Sequence, residues 1–280
     1  MVYNVSASSI PVSVIVATKN EEFHIARCLE ALLDFDEIIV FDSNSTDKTV
    51  EIAQRYKARV ENFTWNKQYP KKRQYFLNYF TLKHEYVFFV DADEIITADL
   101  VAEIRQLDFN KAGYFVKGCY VGENKLLKHG LKNNKLCLFH KEKIMFPVID
   151  DLKAESIGEI EGHYQPVLRD EYSGEGIGQL QSPLIHNAYE EPDQWLERHK
   201  KYAMWEAYMI SHDLYPKDPD KRREHMKRLF RCLPFRSVIA FFHCYFLKLG
   251  FLDGVDGFKF ALLRFKYYQL VARVLKTNKA

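Results

Sequence analysis

Three carboxylates stand together in "YVFFVDADEIIT", residues 86–97. Five apolar or aromatic residues lead into Asp91-Ala92-Asp93-Glu94, and apolar residues then resume. Like charges side by side where solvent is scarce are costly unless something positive neutralises them. In an extended strand end, residues i and i+2 point the same way. Asp91 and Asp93 are therefore expected to face one spot. A hard divalent cation such as Mg²⁺ takes one or two protein carboxylates and completes its shell with water and phosphate oxygens. The expected guest is a metal-bound diphosphate; the plainer alternative is a turn carrying solvated acids.

A second polar group is "FDSNSTDKTVEIA", in which Asp42 ends an apolar run and Ser43 to Asp47 form a turn before a helix. Such a turn offers backbone N–H groups and an acid to a ribose or base. Thr46 or Asp47 can equally serve as an N-cap. Lys71, Lys72 and Arg73 form a basic cluster suited either to a diphosphate or to a solvated helix face. An EF-hand is excluded, since Asp47 stands where the loop needs Gly and Ala53 where it needs Glu. No G-x-G-x-x-G and no G-x-x-x-x-G-K-[ST] occurs. His129, His140 and His163 match no zinc spacing.

The elements that must position these groups follow from the pattern. "VSVIVAT", "DEIIVFDS", "ARVENFTW" and "YVFFVDADE" read as strands, separated by helical segments such as "KNEEFHIARCLEALLDF", where Ile25, Leu29 and Leu32 recur at helical spacing. That alternation predicts an α/β fold with a mostly parallel sheet flanked by helices. Ligands bind such sheets at the carboxyl ends of the strands, so Thr18, Asp42 and Asp91 should converge. Shorter strands, Gly-containing loops and a helix near Pro192 follow, with Tyr202 and Trp205 expected in its core face.

The 280 residues are 47% hydrophobic and 28% charged, enough for a sizeable core. Charge is unevenly placed. Residues 221–280 hold 14 Lys and Arg against 3 Asp and Glu, whereas residues 1–220 hold 26 against 35. This divides the chain into a body, 1–220, and a basic, aromatic tail, 221–280, that meets something anionic. In the tail, Phe258, Ala261, Leu262, Phe265 and Tyr268 fall near one helical face, which suits an anionic membrane surface. Nothing resembles a nucleic-acid module. The longest uncharged tail run, Ser237 to Leu247, is too short to span a bilayer. Five scattered cysteines without C-x-x-C fit a reducing compartment, and the N-terminus lacks the pattern of a signal peptide. The expected location is cytoplasmic, peripheral on the cytosolic face of the inner membrane.

In order and spacing, "VSVIVATKNEEFHIARCLEAL", "DEIIVFDSNSTDKTVEIAQRY" and "FFVDADEI" resemble the family 2 glycosyltransferases, closely over residues 11–110. "EGHYQP", "LIHNAYEEPDQWLERHKKYAMWEA" and "GFLDGVDGF" resemble the branch that adds sugars to lipopolysaccharide core and other surface glycans. The resemblance implies the GT-A (Rossmann-like) fold and inverting transfer of a hexose from a nucleotide sugar, UDP-hexose favoured, to a glycan or glycolipid acceptor. It implies that Thr18, Asn20 and Glu21 meet the nucleotide, that Asp42 holds uracil or ribose, and that Arg73 lies near it. Asp91 and Asp93 then hold Mg²⁺ or Mn²⁺ and the diphosphate, and His186 stands near the diphosphate or metal.

Inversion needs a general base opposite the leaving group. The family's acid falls some sixty to seventy residues beyond D-x-D, which leaves Asp151 and Glu161, with Glu161 preferred and Asp150 structural. Rival readings are a nucleotidyltransferase, opposed by a first loop without glycine, an aspartyl phosphatase, opposed by the late place of D-x-D, and a catalytically silent nucleotide-sugar binder.

Overall fold

The computed structural model describes residues 9–123, 125–152, 164–187 and 192–277. Its first half alternates β1 (Ile10–Thr18), α1 (Ile25–Glu30), β2 (Phe35–Asp42), α2 (Thr49–Arg55), β3 (Arg59–Asn62), α3 (Lys72–Tyr79) and β4 (Tyr86–Asp91). The four strands pair in parallel in the order β3-β2-β1-β4. Their continuous apolar character follows from burial on both faces. Val14 and Val16 of β1 enter the core under α1 and α4 (Ala98–Arg105), while Ile15 enters an aromatic core with Phe76 of α3. Register brings Thr18 opposite Asp42 and Ala17 opposite Asp91, so three strand ends open at one edge.

The expected straight run through "DADE" does not occur. β4 stops at Asp91, Ala92-Asp93 form a turn, and β5 (Glu94–Ile96) leaves the line of β4. Asp91 and Asp93 thus flank a turn rather than sharing one strand face. The sheet continues through β6 (Gly113–Tyr120) and β7 (Asn133–His140), then closes on β11 (Leu184–His186), which pairs parallel with β6 and antiparallel with β5. β7 runs antiparallel to both β4 and β6, so the sheet is parallel in its first half and mixed in its second. The short β10 (Ile177–Gln179) adds to it beside β6, while β8 (Ile144–Met145) and β9 (Val167–Leu168) form a separate two-stranded pair.

Helices follow: α5 (Pro192–Ser211), α6 (Lys221–Cys232), α7 (Arg236–Phe242) and α8 (Gly254–Thr277). Proline at the first position of α5 suits a place whose N–H has no partner. Asp220 caps α6 by accepting from the amides of Arg222 and Arg223. α8 lies on α5, with Tyr267 and Val271 against Ala203 and Ala207. Ala261, expected on a lipid-facing stripe, is fully buried. Gly257 permits the crossing of α8 over the preceding turn, because a Cβ there would sit 1.9 Å from the Gly250 carbonyl oxygen. Trp205 is core, as expected, and Tyr202, half-buried, packs against the α5–α8 cluster while also lining a crevice.

Candidate active site

The crevice at the strand ends is built first by β1 and β2. Thr18 Oγ1 donates to Asp42 Oδ1 at 2.9 Å, and the Ser45 amide donates to Asp42 Oδ2 at 2.7 Å. Asn20 Oδ1 accepts from the Thr46 amide at 2.8 Å, and the Glu21 amide donates to Thr49 Oγ1. Asn20 and Asn44 take positive φ, a conformation asparagine tolerates better than most residues. The two loops after β1 and β2 are therefore stapled to each other. Asp42 is 1% exposed and acts here as the staple's acceptor. Lys72 Nζ donates to the Thr18 carbonyl and to Ser43 Oγ, joining α3 to the same loops.

β4, β5, β7 and β11 build the charged centre. Asp91 receives Arg73 Nη2 on one oxygen and Lys135 Nζ on the other, each at 2.8 Å. Lys135 Nζ also lies 2.5 Å from Glu94 Oε1, and the Asp91 amide donates to Glu94 Oε2. Asp93 Oδ2 lies 3.1 Å from His186 Nε2, and the Asn187 amide donates to the Asp93 carbonyl. His186 is set by the β5–β11 register, which places it opposite Glu94, and its ring stacks on Tyr120 at 5.3 Å.

The electrostatics follow from that geometry. Burial alone would raise Asp91, but the charges of Lys135 and Arg73 hold it well below the usual carboxylate range. Burial likewise opposes ionisation of Lys135, yet Asp91 and Glu94 raise its pKa above that of an ordinary lysine. Glu94 is raised, because burial and Asp91 outweigh Lys135. His186 is raised despite burial, by its bond to Asp93 and by the Asp93 and Glu94 charges. Burial raises Glu21, which faces Asp93 and Asp91 as like charges.

Much of the neutralisation expected from a bound cation thus comes from Arg73 and Lys135. Asp91, expected as a metal ligand, has both oxygens engaged by these side chains. Among the described residues no group of three or more His, Cys, Asp and Glu side chains is arranged to hold a metal. One carboxylate and one imidazole, Asp93 and His186, do meet at the crevice wall. His186 Nδ1 is buried without a hydrogen-bond partner and stands 3.7 Å from Glu94 Oε1. A carboxylate oxygen and an imidazole nitrogen side by side, with a second ring nitrogen left unbonded, are donors that a divalent cation accepts. Two protein ligands leave room for water and phosphate oxygens, as Mg²⁺ and Mn²⁺ require. The residues present fit such an ion.

Asp151, expected as a candidate base, is not brought to the crevice. It is fully buried, and its carboxylate accepts from Lys71 Nζ at 2.6 Å, Tyr69 Oη at 2.7 Å and Trp205 Nε1 at 2.9 Å. A carboxylate closed in by three donors has no path to an acceptor hydroxyl; it ties α3 to α5. Lys71, read from the sequence as facing either a diphosphate or solvent, does neither: it is 2% exposed in that pair. Glu161 and His163 lie outside the described residues. Sequence reasoning missed Lys135 altogether, since its place 44 residues beyond Asp91 carries no motif and only the β7 pairing delivers it.

Residues 13–171 match the model of glycosyl transferase family 2. The chain is 25% identical over 276 residues to an uncharacterized glycosyltransferase of Rickettsia typhi, covering 91% of this chain and 84% of that one. A shorter stretch of 91 residues is 34% identical to the SPbeta prophage-derived glycosyltransferase SunS of Bacillus subtilis, covering 31% of this chain and 21% of SunS. Among solved structures it is similar to S. aureus TarS, with a TM-score of 0.42 and 17% identity over 92% of this chain and 91% of that one. It is also similar to glucosyl-3-phosphoglycerate synthase from Mycobacterium tuberculosis in complex with Mn²⁺, UDP and phosphoglyceric acid, with a TM-score of 0.41 and 20% identity over 74% and 79%. The family match spans the stapled loops, D-x-D and Lys135 together, and on that ground the chain belongs to glycosyl transferase family 2.

Proposed function

We propose that the protein transfers a hexose from a UDP-sugar, with inversion, to a hydroxyl of a membrane-anchored glycan. The observation that carries this reading is the meeting of Asp93 and His186 beside a neutralised Asp91, at the end of β4. The stapled loops after β1 and β2 offer a rigid seat for the nucleotide. Arg73 and Lys135 already balance Asp91, so the site accepts a diphosphate without placing three bare carboxylates against it. A divalent cation held by Asp93 and His186 would offset the negative charge that develops on the leaving diphosphate. Asp93 and the stacked Tyr120 ring orient His186, and Glu94 adds a negative charge 3.7 Å from its Nδ1. Glu161 is the proposed general base, on its place in the sequence alone. The family assignment sets aside the phosphatase and nucleotidyltransferase readings.

The membrane contact is proposed at a different surface from the α8 stripe. Phe242, Phe246, Leu247, Phe251, Leu252 and Val255 are exposed around the bend between α7 and α8, with Leu247 at 75%. No single described helix is long and apolar enough to cross a membrane, and the α7 and α8 segments meet at 71°. An apolar ridge in a strongly basic segment suits shallow insertion into an anionic leaflet. Leu247→Asp should abolish sedimentation with vesicles of phosphatidylglycerol and phosphatidylcholine; unchanged sedimentation removes the ridge from the proposal.

The donor reading is tested by thermal unfolding with UDP, GDP, CDP or dTDP, with and without Mn²⁺. A ligand at about 100 times its Kd should stabilise the fold by roughly 2.7 kcal/mol. The expected result is a metal-dependent shift with UDP that Asp93→Ala loses. No shift with any nucleoside diphosphate would remove the donor site. Turnover of UDP-glucose in the presence of membranes separates an enzyme from a silent binder.

A further inference from the structure

The charged centre is one end of a cavity of about 1570 Å³ whose opposite wall is formed by α5, α6, α8 and the loop between β6 and β7. Among the described residues the lining carries thirteen Lys and Arg against six Asp and Glu. Three of those acids, Glu21, Asp91 and Asp93, belong to the donor end. On the helical wall Glu206 is engaged by Arg236 and Tyr267, and Glu123 by Lys259. Lys117, Lys128, Lys132 and Lys266 line the cavity with no carboxylate within ion-pair reach among the described residues.

Arg264 is the most telling of these cations. It lines the cavity from α8, its Nε is buried without a hydrogen-bond partner, and no described carboxylate lies within ion-pair reach. The faces of Tyr267 and Tyr268 flank the guanidinium at 5.8 and 5.7 Å. Its charge also bears on Tyr120, whose ring stacks on His186. The Glu206 carboxylate, engaged by Arg236 and Tyr267, acts on this guanidinium only from beyond ion-pair distance, and aromatic faces recover only part of the cost of its desolvation. A guanidinium is also the side chain best shaped to take two oxygens of a phosphate or carboxylate at once.

We infer that the helical wall is an anion subsite for the acceptor, with Arg264 at its centre, and that the acceptor glycan carries phosphate or carboxylate groups close to the hydroxyl that is glycosylated. This rests on the glycosyltransferase reading for the word acceptor; the anion subsite itself does not. Arg264 belongs to α8 and packs with Tyr267 and Tyr268, whereas Tyr120 packs on His186 at the donor end. The lysines around the loop between β6 and β7 extend the positive wall outward and draw a polyanionic chain toward the crevice.

The test uses the full chain, with mannopentaose phosphate as probe and the same oligosaccharide after phosphatase treatment as its neutral control. Binding is followed by tryptophan fluorescence, with UDP and Mn²⁺ saturating. The wild type should bind the phosphorylated form at least about tenfold more tightly than the neutral one. Arg264→Gln should erase that preference and leave the UDP Kd within about twofold. Arg264→Lys, which keeps the charge, should retain part of it, and both variants are checked by thermal unfolding. Lys128→Gln with Lys132→Gln should weaken the phosphorylated probe without affecting the fold. Equal binding of the two forms by the wild type, or a preference unchanged in Arg264→Gln and in the lysine double variant, overturns the inference. A loss of UDP binding in a folded Arg264→Gln assigns the guanidinium to the donor and overturns it as well. A wild type that prefers the phosphorylated probe but never binds UDP leaves the anion subsite standing and removes the donor reading.

Discussion

The two walls of the crevice handle charge in opposite ways. At the end of β4 the carboxylates meet cations supplied by the protein: Asp91 has Arg73 and Lys135, Glu94 has Lys135, and Asp93 has His186. On the helical wall cations outnumber acids, and Arg264 has no carboxylate in reach among the described residues. The first wall is balanced before a ligand arrives, whereas the second leaves positive charge to be balanced. A balanced wall is rigid and orients; an unbalanced one selects by charge. The donor is an anion in either case, so the difference is best explained by what enters from the other side.

A third region sharpens the contrast. Lys71 and Asp151 form an ion pair buried more deeply than any in the crevice, yet they face no cavity. The same chemistry therefore serves structure in one place and a site in another, and the two should separate under mutation. The largest effect is expected at Asp93: Asp93→Ala should lower transfer by about 10³-fold, with little change in thermal stability without ligand. Activity within a few fold of wild type would break the assignment of this wall to the chemistry.

Lys71→Met comes next. Breaking a buried pair by removing one partner costs about 3–5 kcal/mol, read as a fall in the urea midpoint, while the UDP Kd of the folded fraction stays unchanged. Asp151→Asn should behave alike, with kcat per folded molecule preserved. A folded Asp151→Asn that has lost catalysis would restore Asp151 as a base. Lys135→Met should do both things at once. It should weaken UDP binding about tenfold and also lower stability, since Glu94 would lose its lysine and Asp91 would keep only Arg73 of its two ion-pair partners.

The smallest effect is a pH slope on the helical wall. Burial pushes the His199 imidazole down to about 4, against its hydrogen bond to the Trp195 carbonyl and with help from the Arg198 and Arg264 charges. The unfolded chain titrates near about 6.5. Between those values the unfolded chain binds a proton that the folded chain does not, so this contribution to stability is complete above about 6.5 and falls as pH falls toward 4. His199→Gln should remove it. The stability difference between wild type and variant should therefore shift steadily between pH 7 and pH 5 in urea titrations. Parallel curves would show that burial does not depress this imidazole.

The amino-acid sequence by itself determined the parallel half of the fold and one end of the site. Continuous apolar runs ending in Thr18, Asp42 and Asp91 could only be strands buried on both faces, and strand ends of a parallel sheet must share an edge. Motif order also determined the family, because each quoted segment is local. The tertiary structure decided what those residues touch. A turn at Ala92-Asp93 separates two carboxylates that an extended chain would have aimed together. Antiparallel pairing of β7 delivers Lys135, and the β5–β11 register delivers His186, across separations that no spacing rule encodes. Burial turned Asp151 and Lys71 from site candidates into a structural pair. Packing of α8 on α5 buried Ala261 of the expected stripe and left the bend exposed. Local pattern fixes which segments are strands and helices; partners distant in sequence fix what a charge can do, because its energy depends on what surrounds it.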